Sequence, residues 1–299
     1  MKHTNLNNFA ALISCVFVLA ASSAQAKDGL KILIVGDMEG VAGAVTEQQL
    51  SPQGFEYGEF RKIYTDEVNA AIEAAFDGGA EEVVVADSHG NAQNLLLDRL
   101  NSRVTLIRGW PRPLVMMGGI DSSFDGVILI GIHAGASNME GVLAHTLDGD
   151  LMTEVSLNGV VMSEAGICAA TAGEYDVPVI MVSGDSAAAD ETVALLGKIE
   201  TAVVKEPISY TSAKTLLPSA ANALIKSKVK RAMKEIDKAE PYKLQAPITL
   251  EIKFNNYTVP QKLSNLSSVE RVDARTVHFV AKDMTEVWKF FTLAFSIEY

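Results

Sequence analysis

The stretch Lys31-Ile32-Leu33-Ile34-Val35-Gly36-Asp37-Met38-Glu39-Gly40 constrains this chain more than any other. Its aliphatic residues are consecutive rather than alternating, which is the pattern of a strand buried on both faces. Such strands belong to parallel sheets covered by helices on each side. The run stops at an acidic pair, and in open α/β sheets ligands bind just beyond the carboxyl ends of the strands. Asp37 and Glu39 stand two apart, so in an extended segment both carboxylates point to one side. Two hard oxygen ligands on one face make half of a metal site.

The pattern recurs downstream. A helix predicted over 64–76, with Val68, Ala71, Ile72 and Ala75 on one face and Gly78-Gly79 at its end, leads into Glu82-Val83-Val84-Val85-Ala86. That strand finishes in Asp87-Ser88-His89, and the strand–helix–strand unit implies parallel pairing with adjacent carboxyl ends. A short helix is expected over 91–100 and a third strand over 104–107. Val127-Ile128-Leu129-Ile130-Gly131-Ile132 is a further buried strand that ends at His133, and a strand over 177–182 runs into Ser183-Gly184-Asp185. Between these two, Asn158-Gly159 marks a hairpin, and Ser163 is placed to cap a helix reaching 172 with Glu164 in its first turn. A helix over 190–199 and a strand over 201–204 follow; the pattern over 212–238 is helical, broken by Pro218. Strands over 248–252 and 276–281 and a helix over 285–295 complete the chain. The expected fold is α/β: a mostly parallel sheet flanked by helices over 27–206, then a smaller C-terminal α+β subdomain over 207–299.

Residues 1–26 read as a secretory leader, with Lys2 at a weakly positive start, an apolar run over 9–20 and small residues up to Ala26. The run is too short to span a membrane, which takes about 20 residues. Cys15 lies inside it, not at a lipoprotein cleavage site. Cleavage after Ala26 leaves Cys168 without a disulfide partner, in an apolar helical pattern that suits a core residue. The chain is therefore expected to be exported, periplasmic or secreted, and free of the membrane once the leader is gone. A net charge of −12 argues against nucleic acid and anionic lipid surfaces as partners. The Lys- and Arg-bearing stretch over 226–238 also holds Glu235 and Asp237 and reads as a solvated helix face.

Of five histidines, His3 leaves with the leader and His278 sits in a strand far along the chain; His89, His133 and His145 lie at or near the ends of the core strands. With Asp37, Glu39 and Glu164 they supply enough nitrogen and oxygen donors for two divalent ions. Mixed imidazole and carboxylate sets suit zinc, with manganese or cobalt also compatible. A two-metal site needs a bridging carboxylate, and Asp37 at the end of the first strand is the natural candidate. Asp87 reads as turning the chain or orienting His89, and Asp185 as a loop or helix cap.

Taken in order, Val35-Gly36-Asp37-Met38-Glu39-Gly40, Asp87-Ser88-His89, Gly131-Ile132-His133-Ala134-Gly135-Ala136-Ser137, Gly141-Val142-Leu143-Ala144-His145-Thr146 and Ser163-Glu164 resemble the motifs of the DppA-type D-aminopeptidases, a family of dinuclear zinc peptidases. The resemblance runs through Ala281-Lys282-Asp283-Met284, nearly the whole mature chain. It implies Asp37 as the bridge, Glu39 and His89 completing one zinc site, His133 and Glu164 the other, and His145 as the catalytic residue, either nucleophile or general acid/base. It further implies a short peptide as substrate, a preference for D-residues as in D-Ala-D-Ala, two Zn2+ per subunit and a ring-shaped homo-oligomer.

The expected function is a zinc-dependent aminopeptidase. Two rivals use the same ligands: another dinuclear hydrolase (an amidase or phosphoesterase), and an exported metal- or solute-binding protein without turnover. A phosphoester would favour Lys or Arg near the metal, and the motif loops contain neither. A binding protein has no need of His145. The leader reading makes a direct prediction: N-terminal sequencing of protein recovered outside the cytoplasm begins at Lys27, and a chain still starting at Met1 refutes it.

Overall fold

Successive residues of the first strand alternate between two cores, which is why its apolar run is unbroken. Ile32 and Ile34 enter one core, Leu33 and Val35 the other. The structure is a computed structural model that describes Met1 and residues 29–297; the expected leader and Cys15 lie outside the described residues. In chain order the elements are β1 (Leu30–Gly36), α1 (Tyr57–Asp77), β2 (Ala80–Asp87), β3 (Thr105–Ile107), β4 (Gly126–Ile132), β5 (Met152–Leu157), β6 (Val160–Val161), α2 (Glu164–Glu174), β7 (Val179–Asp185), α3 (Ser186–Leu196), β8 (Glu200–Ser209) and β9 (Ser212–Thr215). Then come α4 (Pro218–Lys234), β10 (Ile248–Phe254), α5 (Thr258–Leu263), β11 (Val269–Arg271), β12 (Thr276–Ala281) and α6 (Met284–Phe295).

The main sheet runs β3-β2-β1-β4-β7-β8-β9. Its pairings are parallel except at the β8–β9 edge, which is antiparallel. The expected α/β class, with a mostly parallel sheet between helices, is the one found. Helices α1 and α4 cover one face, and α2 lies in the core on the other. From β1 the chain winds outward to β2 and β3 on one side and to β4, β7 and β8 on the other. The order reverses between β1 and β4, and such a switch point opens a crevice at the carboxyl ends of the two strands. Asp37 leaves β1 there and His133 leaves β4 there.

A second, antiparallel sheet runs β11-β12-β10-β5-β6. It shares the core of α2 and α6, where Trp288 is fully buried and its indole N–H donates to Thr171 Oγ1 at 2.9 Å. This sheet does not follow the expected boundary at residue 207, which falls inside β8. It takes β5 and β6 from the middle of the chain, and α4 packs on the main sheet. Two further expectations differ in detail. Residues 212–215 form an edge strand, and the helix begins at Pro218, at its first position where the missing N–H costs nothing. Residues 91–100 form turns instead of a helix, because the Asp87 carboxylate accepts from the backbone of Asn94 and Leu95 and from the Asn94 side chain. Among the described residues no helix is long and apolar enough to cross a membrane.

The backbones leaving β1 and β4 touch. The Asp37 N–H donates to Ile130 O at 2.8 Å and the Gly40 N–H to Gly131 O at 2.7 Å. A Cβ on Gly40 would lie 2.1 Å from Ile132 O, and one on Gly131, whose φ is +74°, would lie 2.1 Å from Asp37 O. Both positions need glycine because backbone meets backbone there. Gly40→Ala should cost about 1–3 kcal/mol of stability through overpacking, read as a lowered denaturant midpoint at unchanged slope; an unshifted midpoint would show that the two segments separate freely.

Candidate metal centre

Asp37 stands just past β1, and its two carboxylate oxygens face different imidazoles. Oδ1 lies 3.2 Å from His89 Nδ1, which follows β2, and Oδ2 lies 3.4 Å from His133 Nε2, which follows β4. Glu39 Oε2 is 2.9 Å from the same His89 nitrogen. Glu164, at the first position of α2, approaches from the other side, its Oε1 3.3 Å from His133 Nε2 and 3.9 Å from His145 Nε2. Ser163 caps that helix by accepting from the Gly166 N–H. The five expected ligands and His145 are thus brought together, drawn from the ends of β1, β2 and β4, the loop after β4 and the start of α2. Donor atoms of Asp37, Glu39 and His133 fall within 4.8 Å of one another, as do those of His133, His145 and Glu164. His133 therefore stands between two three-residue groups, with His89 joining the first through its contacts to Asp37 and Glu39. His145 lies near enough to Glu164 to belong to the second group.

Each imidazole is pinned at its far nitrogen by a backbone carbonyl. His89 Nε2–H donates to Leu50 O at 3.1 Å, His133 Nδ1–H to Ala134 O at 2.9 Å, and His145 Nδ1–H to Leu143 O at 2.8 Å. These bonds orient each ring so that its other nitrogen faces the carboxylates. His133 Nε2 is fully buried and has no hydrogen-bond partner. The rings of His133 and His145 stack at 3.9 Å with an interplanar angle of 9°.

The electrostatics ask for positive charge. Burial alone would lower the pKa of His89 and of His133. The charges of Glu39 and Asp37 on one, and of Glu164 and Asp37 on the other, overturn this and raise both well above the usual histidine range. Burial would likewise raise the pKa of Asp37, but the two histidines hold it well below the usual carboxylate range. A buried imidazole nitrogen without a hydrogen-bond partner among carboxylates, in a mixed nitrogen and oxygen set that gathers positive charge, is a site that fits a divalent cation such as zinc.

Other expected residues take lesser places. Asp87 holds the turn that carries His89, and the Asn94 amide bridges it to His89 O at 2.6 Å. Asp185 caps α3 through Oδ1 and accepts from the Val142 N–H through Oδ2 at 3.0 Å, one residue before Leu143, whose carbonyl pins His145. Cys168 is a buried core residue of α2 whose thiol burial pushes up, and His278 pairs with Glu251 across β10 and β12. Three supporting residues escaped the sequence reading. Glu191 accepts from the Gly135 N–H and the Asn138 amide in the loop after His133. Glu67, fully buried on α1, accepts from the Ala42 N–H, and burial raises its pKa to about 7. Lys205 on β8 is buried beneath the Asp37–Glu39 turn, where burial lowers its pKa to about 8. Its only signal was that the apolar strand Ala202-Val203-Val204 continues into a lysine.

The centre opens on a cavity of about 1160 Å³. Asp37, Glu39, His89, His145 and Glu164 line its floor, and Glu47, Trp110, Asp148, Tyr210 and Asn255 are among its walls. Arg112 also lines it, but its guanidinium is committed to Val115 O, Asp87 O and Ser88 Oγ.

Known proteins share this fold. A family model described as D-aminopeptidase matches residues 30–293. The D-aminopeptidase of Bacillus subtilis (strain 168) is 35% identical over 261 residues, 87% of this chain and 94% of that relative. The solved structure of the Zn-dependent D-aminopeptidase DppA from Bacillus subtilis, described as a self-compartmentalizing protease, matches with a TM-score of 0.86 at 33% identity, over 90% of this chain and 100% of that one. With the family model spanning nearly all the described residues and the fold matching throughout, the chain belongs to the D-aminopeptidase family.

Proposed function

We propose that the chain is a zinc-dependent aminopeptidase that releases the N-terminal residue of short peptides, with a preference for D-residues as in D-Ala-D-Ala. The observation that carries this reading is the set of three histidines, each pinned from behind by a carbonyl, whose free nitrogens converge on Asp37, Glu39 and Glu164 at a cavity floor. Asp37 would bridge two ions, with Glu39 and His89 on one and His133 and Glu164 on the other. Two zinc ions so held supply Lewis acidity, polarising the scissile carbonyl and acidifying a water. The protein's own part is positioning and proton transfer. His145 is the most open of the three imidazoles, with 23% of its side chain exposed at the cavity. Its Nε2 is free to take a proton from the attacking water and return it to the leaving amine, while the stacked His133 ring fixes its plane.

A peptide suits the cavity better than a phosphoester. Among the described residues that line it, Arg112 is the one Lys or Arg, and its N–H groups are spent on the protein itself. The leader-like pattern of residues 1–26 supports export, and with it wall-derived peptides as the substrate. The relative's description as self-compartmentalizing supports a homo-oligomer.

Chelation should abolish release of D-Ala from D-Ala-D-Ala and zinc should restore it, with L-Ala-L-Ala cleaved poorly throughout; metal-independent turnover, or equal cleavage of both, refutes the reading. His145→Ala should keep both zinc ions and lower kcat by about 10²–10⁴-fold, the usual contribution of a positioned acid–base. An unchanged rate would remove His145 from the chemistry.

A further inference from the structure

Residues 37–46 after β1 form a turn-rich segment with no helix or strand, yet much of it is buried. Buried backbone N–H and C=O groups must find partners, and here many of the partners are side chains from distant elements. The Ala42 N–H donates to Glu67 Oε1 of α1 at 2.9 Å, and the Gly43 N–H to Thr215 Oγ1 of β9 at 2.8 Å. The carbonyls are gathered by one residue. Lys205 is 2% exposed, and its ammonium donates to Glu39 O, to Val41 O and to Ala44 O. An ammonium has three N–H donors and no acceptor, so the three carbonyls satisfy it fully.

Lys205 reaches this position through an irregularity in the sheet. The β7–β8 register shifts between Gly184 and Asp185, pairing Gly184 with Val203 but Asp185 with Lys205. Such a bulge lets successive residues Val204 and Lys205 both point inward. Burying a charge is costly unless it is fully bonded and compensated. An apolar side chain would fill the space, but it would leave Glu39 O and Ala44 O of the ligand-bearing segment without donors, Val41 O keeping only the Ala44 N–H. The expense makes sense where the geometry of that segment matters.

We propose that Lys205 is a positioning residue that holds segment 37–44 so that Glu39 is presented to the metal before any metal binds. This rests on the zinc-peptidase reading above. The ammonium fixes the backbone on both sides of Gly40, and with it the direction of the Glu39 carboxylate. Outer partners of this kind typically set metal affinity by about 10–100-fold.

The test is stepwise zinc affinity of the metal-free protein, by competition with a chromogenic chelator, for wild type, Lys205→Met and Val259→Ala. Val259 is fully buried in the other core, on α5, and serves as a control for lost stability. Lys205→Met should weaken one zinc by about 10–100-fold, the same step that His89→Ala removes, and leave the other within about threefold. Val259→Ala should lower Tm and spare both affinities. Wild-type affinities in Lys205→Met, or an equal loss of both sites, overturn the proposal. Should Lys205→Met not fold, amide hydrogen exchange of the wild-type protein decides instead. Ala42 and Gly43 should be as protected without zinc as with it, whereas exchange that slows only on zinc addition means the metal orders the segment. A wild-type protein that binds no zinc sinks the peptidase reading; the hold of Lys205 on the segment is then judged by exchange at Ala42 and Gly43 in Lys205→Met against wild type, faster exchange supporting it and unchanged exchange overturning it.

Discussion

Three carboxylates buried within reach of one another are tolerable only when positive charge is placed among them. Asp37, Glu39 and Glu164 meet that condition through His89, His133 and His145 and, in the reading offered above, through two metal ions. Much else in the fold serves to hold these groups at fixed separations. The strand order reverses between β1 and β4, so two of the loops start side by side. The contact of Gly40 with Gly131 brings their backbones within hydrogen-bonding distance. Ser163 sets the start of α2 and thereby the height from which Glu164 reaches in.

Loops usually lie at the surface because their backbone groups need water. Around this centre they are buried, and side chains replace the water. Glu67 and Thr215 accept from the first loop, Asp87 from the second, and Glu191 and Asp185 from the segment between His133 and His145. The result is a centre most of whose inner residues sit on irregular backbone and are nearly as enclosed as the strands. That arrangement favours preorganisation, since groups already fixed lose little freedom when a ligand arrives.

The strands and the converging residues were legible in the sequence because burial on both faces leaves an unbroken aliphatic run, and the run's end marks the ligand. The supporting layer was less legible. Glu67 looks like any polar position of an amphipathic helix, and only the fold turns it inward. Lys205 depends on a register shift that no local pattern announces. The helix expected over 91–100 has the right periodicity, but one carboxylate, Asp87, competes for its amides and wins. The boundary at 207 failed for a related reason: a change of pattern along the chain says when a new layer begins, not which earlier segment will be recruited to it.

That recruitment bears on the order in which the molecule matures. His145 precedes β5 and Glu164 follows β6, so the hairpin they flank sets the span between them. Inside the second sheet, β5 pairs with β6 on one side and β10 on the other. Before Ile248–Phe254 joins it, β5 has only a two-residue partner strand, and a two-stranded hairpin gains much of its stability from a third strand. The sheet that steadies the span from His145 to Glu164 is thus completed by a strand that follows all six inner residues in the chain.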